Sequence, residues 1–178
     1  MRVIAGTAKG TRLGAVPPGV RPVADAAREG LFSSLGPAVD GARVLDLYAG
    51  TGAMGIEALS RGAASATFVE RSRGGVRAIR DNLARTHLAD RGTVVEGEVW
   101  GAVAGDLPYD LVLADPPYEQ GPGDLDPMLA RLGAGLPEGA TIVLTRGVRS
   151  SMPVIPVPWA VARRLEYGDT LVLVCRRG

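Results

Sequence analysis

From Arg43 onward the sequence alternates short apolar runs with helix-length segments, and this alternation constrains the fold more than any other feature. ARVLDLYAG predicts a strand ending at Asp46–Tyr48, and AMGIEALSRG a helix. SATFVE is a second strand, GGVRAIRDNLART a second helix and RGTVVEGE a third strand. YDLVLAD is a fourth, its Leu111-Val112-Leu113 run suiting a strand covered on both faces. LDPMLARLGAGL predicts a helix with Pro127 in its first turn, and ATIVLTR a fifth strand. WAVARRLEYGDTLVLVCR holds two extended runs around Tyr167-Gly168-Asp169, a hairpin signal. Repeated βαβ units closed by a hairpin give an α/β fold: a doubly wound, Rossmann-like sheet, mostly parallel, with an antiparallel C-terminal hairpin.

The first residues follow another pattern. RVIAG and TRLGAV read as two arms of a short hairpin, separated by Thr7–Gly10 and closed by Pro17-Pro18-Gly19. ADAAREGLFSSL then predicts a helix, with Pro22 near its first turn and Ala26, Leu31 and Leu35 toward one side. This divides the chain into an N-terminal extension, 1–36, and a main domain, 37–178. The extension is where charge collects. The 178-residue chain carries a net charge of +1, but residues 1–30 hold Arg2, Lys9, Arg12, Arg21 and Arg28 against Asp25 and Glu29. A positive arm on a near-neutral body suits a polyanionic partner. With 46% hydrophobic and 22% charged residues, the composition is globular and excludes a disordered chain. One cysteine, Cys175, excludes an internal disulfide framework and a Cys-rich zinc site, and no metal is expected. No apolar run approaches the ~20 residues of a membrane span, and MRVIAGTAKGTRLG lacks a signal core. A soluble, cytoplasmic, membrane-free protein is therefore expected, with a monomer as the default.

The candidate site begins at the first strand. Asp46-Leu47-Tyr48-Ala49-Gly50-Thr51-Gly52-Ala53-Met54-Gly55 contains GxGxxG between a strand and a helix, where glycine permits a tight turn and close approach of a ligand to backbone N–H groups. Glu70 ends the next strand, placed to accept hydrogen bonds from ribose hydroxyls. This fingerprint points to an adenosine-type ligand and fits a nicotinamide dinucleotide as well as S-adenosylmethionine. The fourth strand breaks the tie. It ends in Asp115-Pro116-Pro117-Tyr118, and a doubly wound sheet brings its tip beside the Gly50 loop at the point where strand order reverses. Two consecutive prolines are locked in φ and donate no backbone hydrogen bonds, and they force extended shapes on the residues before them. The Asp115 carboxylate with the Asp115 and Pro116 carbonyls makes a rigid set of acceptors for an exocyclic NH2 group, and Tyr118 offers a flat face for a base. Hydride transfer has no use for such an arrangement.

Asp-Pro-Pro-Tyr after the fourth strand, with DLYAGTGAMG after the first, resembles Rossmann-like methyltransferases that alkylate amino groups of nucleobases. RVIAGTAKGTRL, RPVADAAREGLF, VLDLYAGTGAMGIEALSRGA, FVER and LVLADPPY together resemble the RsmD family, bacterial methyltransferases of guanine N2 in 16S ribosomal RNA (in the family, guanine 966). The resemblance implies S-adenosylmethionine as cofactor, S-adenosylhomocysteine as product, and 16S rRNA in a partly or fully assembled small subunit as partner. It places the methionine part of the cofactor against Asp46, Tyr48, Ala49, Gly50 and Gly52. It sets Glu70 on the ribose, Arg71 beside the adenine, and Glu98 with Val99 at the adenine amino group. In this family that contact is usually made by the shorter Asp or Asn. Asp115, Pro116, Pro117 and Tyr118 carry over as the catalytic tetrad, while Arg2, Lys9, Arg12, Arg21 and Arg28 would hold RNA phosphates. An adenine-N6 nucleic-acid methyltransferase would use the same tetrad. An NAD-dependent oxidoreductase and a non-catalytic RNA-binding module are the remaining readings.

Several polar and aromatic residues have plainer roles available. Glu57 is expected to make structural hydrogen bonds rather than touch the cofactor site, Asp25 and Arg28 suit an i,i+3 salt bridge as well as a substrate contact, and the lesser reading of Glu70 is a cap for the helix that follows it. His87 ends a helix as a capping cation, and Cys175, Trp100 and Trp159 read as packing residues.

Overall fold

The computed structural model describes residues 1–178 and contains seven strands in one sheet of order β3-β2-β1-β4-β5-β7-β6. The strands are β1 (Arg43–Leu47), β2 (Ser65–Glu70), β3 (Gly92–Glu96), β4 (Leu111–Ala114), β5 (Thr141–Gly147), β6 (Trp159–Tyr167) and β7 (Thr170–Arg177). The helices are α1 (Asp25–Leu35), α2 (Ala53–Ser60), α3 (Arg73–Arg85), α4 (Val99–Ala102) and α5 (Pro122–Gly135). β1 to β5 run parallel, and β7 pairs antiparallel with both β5 and β6. The expected parallel sheet and C-terminal hairpin are therefore present. No helix is long and apolar enough to cross a membrane.

Side-chain alternation sorts the core into two layers. Val44, Leu111, Leu113, Val143, Val172 and Val174 face a cluster completed by α1, α2 and α3. Leu45, Leu47, Val112, Ala114, Ile142 and Leu144 face the opposite cluster, closed by Val99 of α4 and Leu125, Met128, Leu129 and Leu132 of α5. Each fully buried Leu or Phe contributes roughly 1.5–3 kcal/mol, so both faces of β1 and β4 are held in place from either side. Helix α2 is buried along its whole length, and the Ser72 hydroxyl caps α3 by accepting the Gly75 N–H at 3.0 Å.

The expected N-terminal hairpin is present in short form: Arg2 bridges Arg12, and the Val3, Gly10 and Leu13 N–H groups donate to the Thr11, Val3 and Met1 carbonyls. It is tied to α2 as well: Ile4 and Ala5 donate to the Glu57 carboxylate, Thr7 to the Ser60 carbonyl and Ala8 to the Ser60 hydroxyl. Three expectations change. On α1 the buried stripe is Ala27, Arg28, Leu31, Phe32 and Leu35, and Ala26 is exposed. Helix α5 starts at Pro122, which takes the first-turn position and leaves Pro127 inside the helix. Finally, Trp100 sits on the short helix α4, half exposed beside the Arg131 guanidinium, rather than in the core. Trp159 and Cys175 are buried as expected, and burial pushes the Cys175 thiol up to about 11.

Candidate active site

The register of β1 with β4 builds the site. Leu47 pairs with Ala114, so the glycine loop after β1 and the turn after β4 leave the sheet side by side. β1 is followed by a helix on one face and β4 by a helix on the other, which opens a crevice between them. In the loop, Tyr48 takes a left-handed backbone with φ 57°, and Gly50 and Gly52 follow with φ 60° and 80°. The Ala49 N–H donates to the Val69 carbonyl at 3.0 Å and the Gly52 N–H to the Ala49 carbonyl at 2.8 Å, which closes the turn. A Cβ on Gly55 would stand 2.4 Å from the Phe68 ring, so this glycine lets α2 lie directly on β2.

Three carboxylates surround the loop. Asp46 is buried and accepts the Gly55 N–H at 2.9 Å. Burial raises its pKa well above the ordinary carboxyl value, and the neighbouring Asp115 and Glu70 charges add to the rise. Glu70 accepts the Gly50 N–H at 2.7 Å through one oxygen and the Ser72 N–H at 3.1 Å through the other. The cap of α3 is Ser72 itself, so Glu70 is fixed against the loop with a lone pair free on each oxygen. At the rim Arg71 faces Glu98 at 4.0 Å, both largely exposed, while Val99 is buried at the start of α4. Glu98 also borders a cavity of about 400 Å³ between α4 and strands β2 and β3. Anionic groups around positive-φ glycines suit a ligand carrying a cation and a ribose diol.

On the other side of the crevice, the Asp115 carboxylate accepts a hydrogen bond from the Thr145 hydroxyl. Burial raises Asp115 to about 6, against the opposing pull of that bond and of the Arg146 and Arg21 charges. Pro116 is buried, Pro117 exposed and Tyr118 half buried. Gly147 lets Tyr118 pack tightly, since a Cβ there would lie 3.2 Å from the ring. Thr145 and Arg146 of β5 are functional candidates that the strand pattern alone does not reveal. The Arg146 guanidinium donates to the Pro117 carbonyl at 3.1 Å and the Gln120 carbonyl at 2.9 Å.

The arm brings its charges here unequally. The Gly14 N–H donates to the Asn82 side chain at 2.8 Å, and Pro17 lies against Gly74, so the segment runs along α3. Val20 then lies over Gly50, where an added Cβ would stand 3.0 Å from its side chain, and the Arg21 guanidinium sits 4.6 Å from the centre of the Tyr118 ring. Arg2, Lys9 and Arg12 are exposed. Arg28 is not available to RNA. It is fully buried, paired with Asp25 at 3.1 Å and 3.7 Å from Glu57, and it donates to the Arg2 carbonyl. Glu57 is equally buried and also holds Arg61 at 2.8 Å. Its role is structural, as expected: it ties the arm to α2.

A seven-stranded sheet in this order, with a glycine loop after its first strand and an Asp-Pro-Pro-Tyr turn after its fourth, defines the Rossmann-like methyltransferase class. Comparison with known proteins agrees. The family model described as "Conserved hypothetical protein 95" matches residues 1–176. Ribosomal RNA small subunit methyltransferase D of Escherichia coli K12 is 34% identical over 180 residues, covering 99% of this chain and 90% of the relative. The solved structure of yhhF from Escherichia coli superposes with a TM-score of 0.86 at 34% identity, covering 99% of this chain and 97% of that one. An RNA methyltransferase from Salinibacter ruber in complex with S-adenosyl-L-homocysteine shares the fold, with a TM-score of 0.68 at 18% identity over 86% of this chain and 92% of that one. The chain belongs to the ribosomal RNA small subunit methyltransferase D family.

Proposed function

We propose that this protein transfers a methyl group from S-adenosylmethionine to the exocyclic N2 of a guanine in 16S rRNA, guanine 966 in the family's numbering, within a partly or fully assembled small subunit. The observation that carries the reading is the pairing of Leu47 with Ala114, which sets an amine-accepting turn beside an adenosine-type loop. Bound at that loop, S-adenosylmethionine supplies a sulfonium methyl open to attack by an amine. Asp46, Tyr48, Ala49, Gly50 and Gly52 would line its methionine part. Glu70 would accept from the ribose hydroxyls, and Arg71, Glu98 and Val99 would border the adenine. The three carboxylates favour a cationic cofactor over its neutral product by simple Coulomb attraction.

Conjugation with the purine ring makes a guanine amino group a poor nucleophile. Asp115 would accept a hydrogen bond from one of its N–H groups, which favours a more tetrahedral nitrogen and localises the lone pair toward the methyl. As the N–C bond forms, the S–C bond breaks, S-adenosylhomocysteine leaves and the amine gives up one proton to Asp115 or water. Pro116 and Pro117 hold the turn rigid, and Tyr118 would stack on the base once it is unpaired or flipped out. Positioning supplies most of the acceleration. Arg2, Lys9 and Arg12 would hold RNA phosphates along the arm, with Arg21 delivering its charge beside Tyr118.

The test combines tritiated S-adenosylmethionine, the purified protein and small subunits from cells lacking the endogenous enzyme, followed by nucleoside analysis. Label in N2-methylguanosine that disappears with Asp115→Ala is the expected result. Label in N6-methyladenosine would keep the chemistry and overturn the base. No label, with S-adenosylhomocysteine still bound, would overturn the substrate.

A further inference from the structure

We propose that Thr145 and Arg146, at the end of β5, are positioning residues of this methyl transfer: Arg146 holds the Asp-Pro-Pro-Tyr turn in its working shape, and Thr145 holds the Asp115 carboxylate as an aligned acceptor. The inference rests on the function proposed above and names residues that the strand pattern would assign to the core.

Arg146 is only 1% exposed, yet no carboxylate lies within salt-bridge distance of it. Its partners are the carbonyls of one turn: Pro117 at 3.1 Å, Tyr118 at 3.4 Å and Gln120 at 2.9 Å, while its Nε has no partner. A buried guanidinium without a counter-ion is costly, and an apolar residue of similar volume would fill the same space more cheaply. What such a residue could not do is hold three carbonyls of a turn that no strand or helix ladder satisfies. The planar fork of Arg fixes those carbonyls relative to one another, and with them the two residues that flank the reacting amine. Thr145, the adjacent residue of β5, is 1% exposed and spends its hydroxyl on Asp115. One strand end thus orients both the backbone and the carboxylate of the turn.

The pair also sets the charge state of Asp115. The groups facing it or its neighbours are Asp46 and Tyr48 from the β1 end, with Glu70 behind Asp46. Thr145 and Arg146 come from β5, Arg21 from the arm, and Tyr118 and Glu119 from the turn itself. Burial pushes Asp115 up to about 6, while Thr145, Arg146 and Arg21 oppose the rise. Loss of Thr145 or Arg146 therefore moves the acid limb of activity to higher pH, because the acceptor is protonated over a wider range. A residue that only supported the fold would lower activity equally at every pH.

The experiment measures single-turnover methylation of small subunits from pH 5 to 9, with S-adenosylhomocysteine affinity measured alongside, for the unaltered protein, Arg146→Met, Arg146→Lys, Thr145→Val and Thr145→Ser. Arg146→Met is expected to lower the transfer rate about 100-fold with unchanged S-adenosylhomocysteine affinity, and to move the acid limb up by about one pH unit, the usual effect of one nearby charge. Arg146→Lys restores the position of the limb but little of the rate, because an ammonium keeps the charge and loses the fork. Thr145→Val moves the limb up and Thr145→Ser returns it. Should Arg146→Met fail to fold, the Thr145 pair decides. A limb that stays in place in Thr145→Val, or a loss in Arg146→Met that is uniform with pH, overturns the inference. Absence of label with the unaltered protein would instead overturn the proposed function.

Discussion

Asp115→Asn should make the protein more stable while removing its activity. Ionised Asp115 is held in an environment that raises its pKa from 3.8 to about 6, so keeping it charged at pH 7 costs about 3 kcal/mol. Asparagine has nearly the same shape and can still accept from the Thr145 hydroxyl, so it removes the charge without opening a cavity. That cost is already net of the attraction of Arg146, which opposes the rise. A net gain of about 1–3 kcal/mol corresponds to a rise in Tm of roughly 3–10 °C for a chain of this size. The pH dependence gives the sign. Above pH 6 the folded protein carries the unfavourable charge and the variant avoids it. Below 3.8 the carboxyl is neutral in folded and unfolded chains alike, and the advantage disappears. Calorimetry of both proteins at pH 8 and pH 4 makes the comparison. A variant no more stable than the parent at pH 8, or equally favoured at both pH values, would refute the account of a carboxylate held at the expense of the fold.

Four further outcomes follow from the same geometry. Glu57→Gln removes the charge that holds Arg28, Arg61 and the Ile4 and Ala5 N–H groups, and should cost about 3 kcal/mol; hydrogen exchange at residues 3–8 should rise far more than at α5, and uniform exchange would count against an anchored arm. Because Asp46 has a raised pKa, S-adenosylmethionine should lose affinity on acidification more steeply than S-adenosylhomocysteine, which lacks the sulfonium charge, measured by calorimetric titration. Arg12→Gln should lower the salt dependence of RNA binding by about one charge, while Arg28→Met should change Tm and leave that slope alone. Cys175, buried with its thiol raised to about 11, should stay unreactive to alkylating reagents at pH 8 until the protein is unfolded.

What the sequence reveals and conceals divides along physical lines. The alternating strands, the glycine loop and the Asp-Pro-Pro-Tyr turn are legible because backbone geometry ties each to residue type at fixed spacing. Side chains that contradict their usual solvation are not. Arg28 reads as one more charge on a basic arm, yet it shares helical phase with Leu31, Phe32 and Leu35, which places it on the buried stripe of α1. That phase, with Asp25 one turn earlier, was the available signal. Arg146 is concealed in the same way: β5 is buried at every position, so a guanidinium at its end must find partners inside the protein. The short N-terminal hairpin is legible from its turn residues, whereas its attachment to Glu57 and Ser60 of α2 is not, because those acceptors lie about fifty residues away in sequence.

These anchors give the arm a geometric role beyond its charge. Glu57 fixes its beginning, Asn82 its middle, and Val20 lies over Gly50 before Arg21 reaches Tyr118. The same segment therefore covers the glycine loop and the face on which a target base would stack. A phosphate that draws Arg21 off Tyr118 would free that face and shift the residue next to Val20 in one movement. RNA binding and cofactor binding would then be coupled through two adjacent residues, and linkage requires the coupling to be reciprocal. Calorimetric titration of S-adenosylhomocysteine with and without small subunits measures it, and Val20→Gly should weaken the coupling because it removes the side chain that lies over Gly50. Equal affinities in both titrations would mean that the arm holds RNA and cofactor independently.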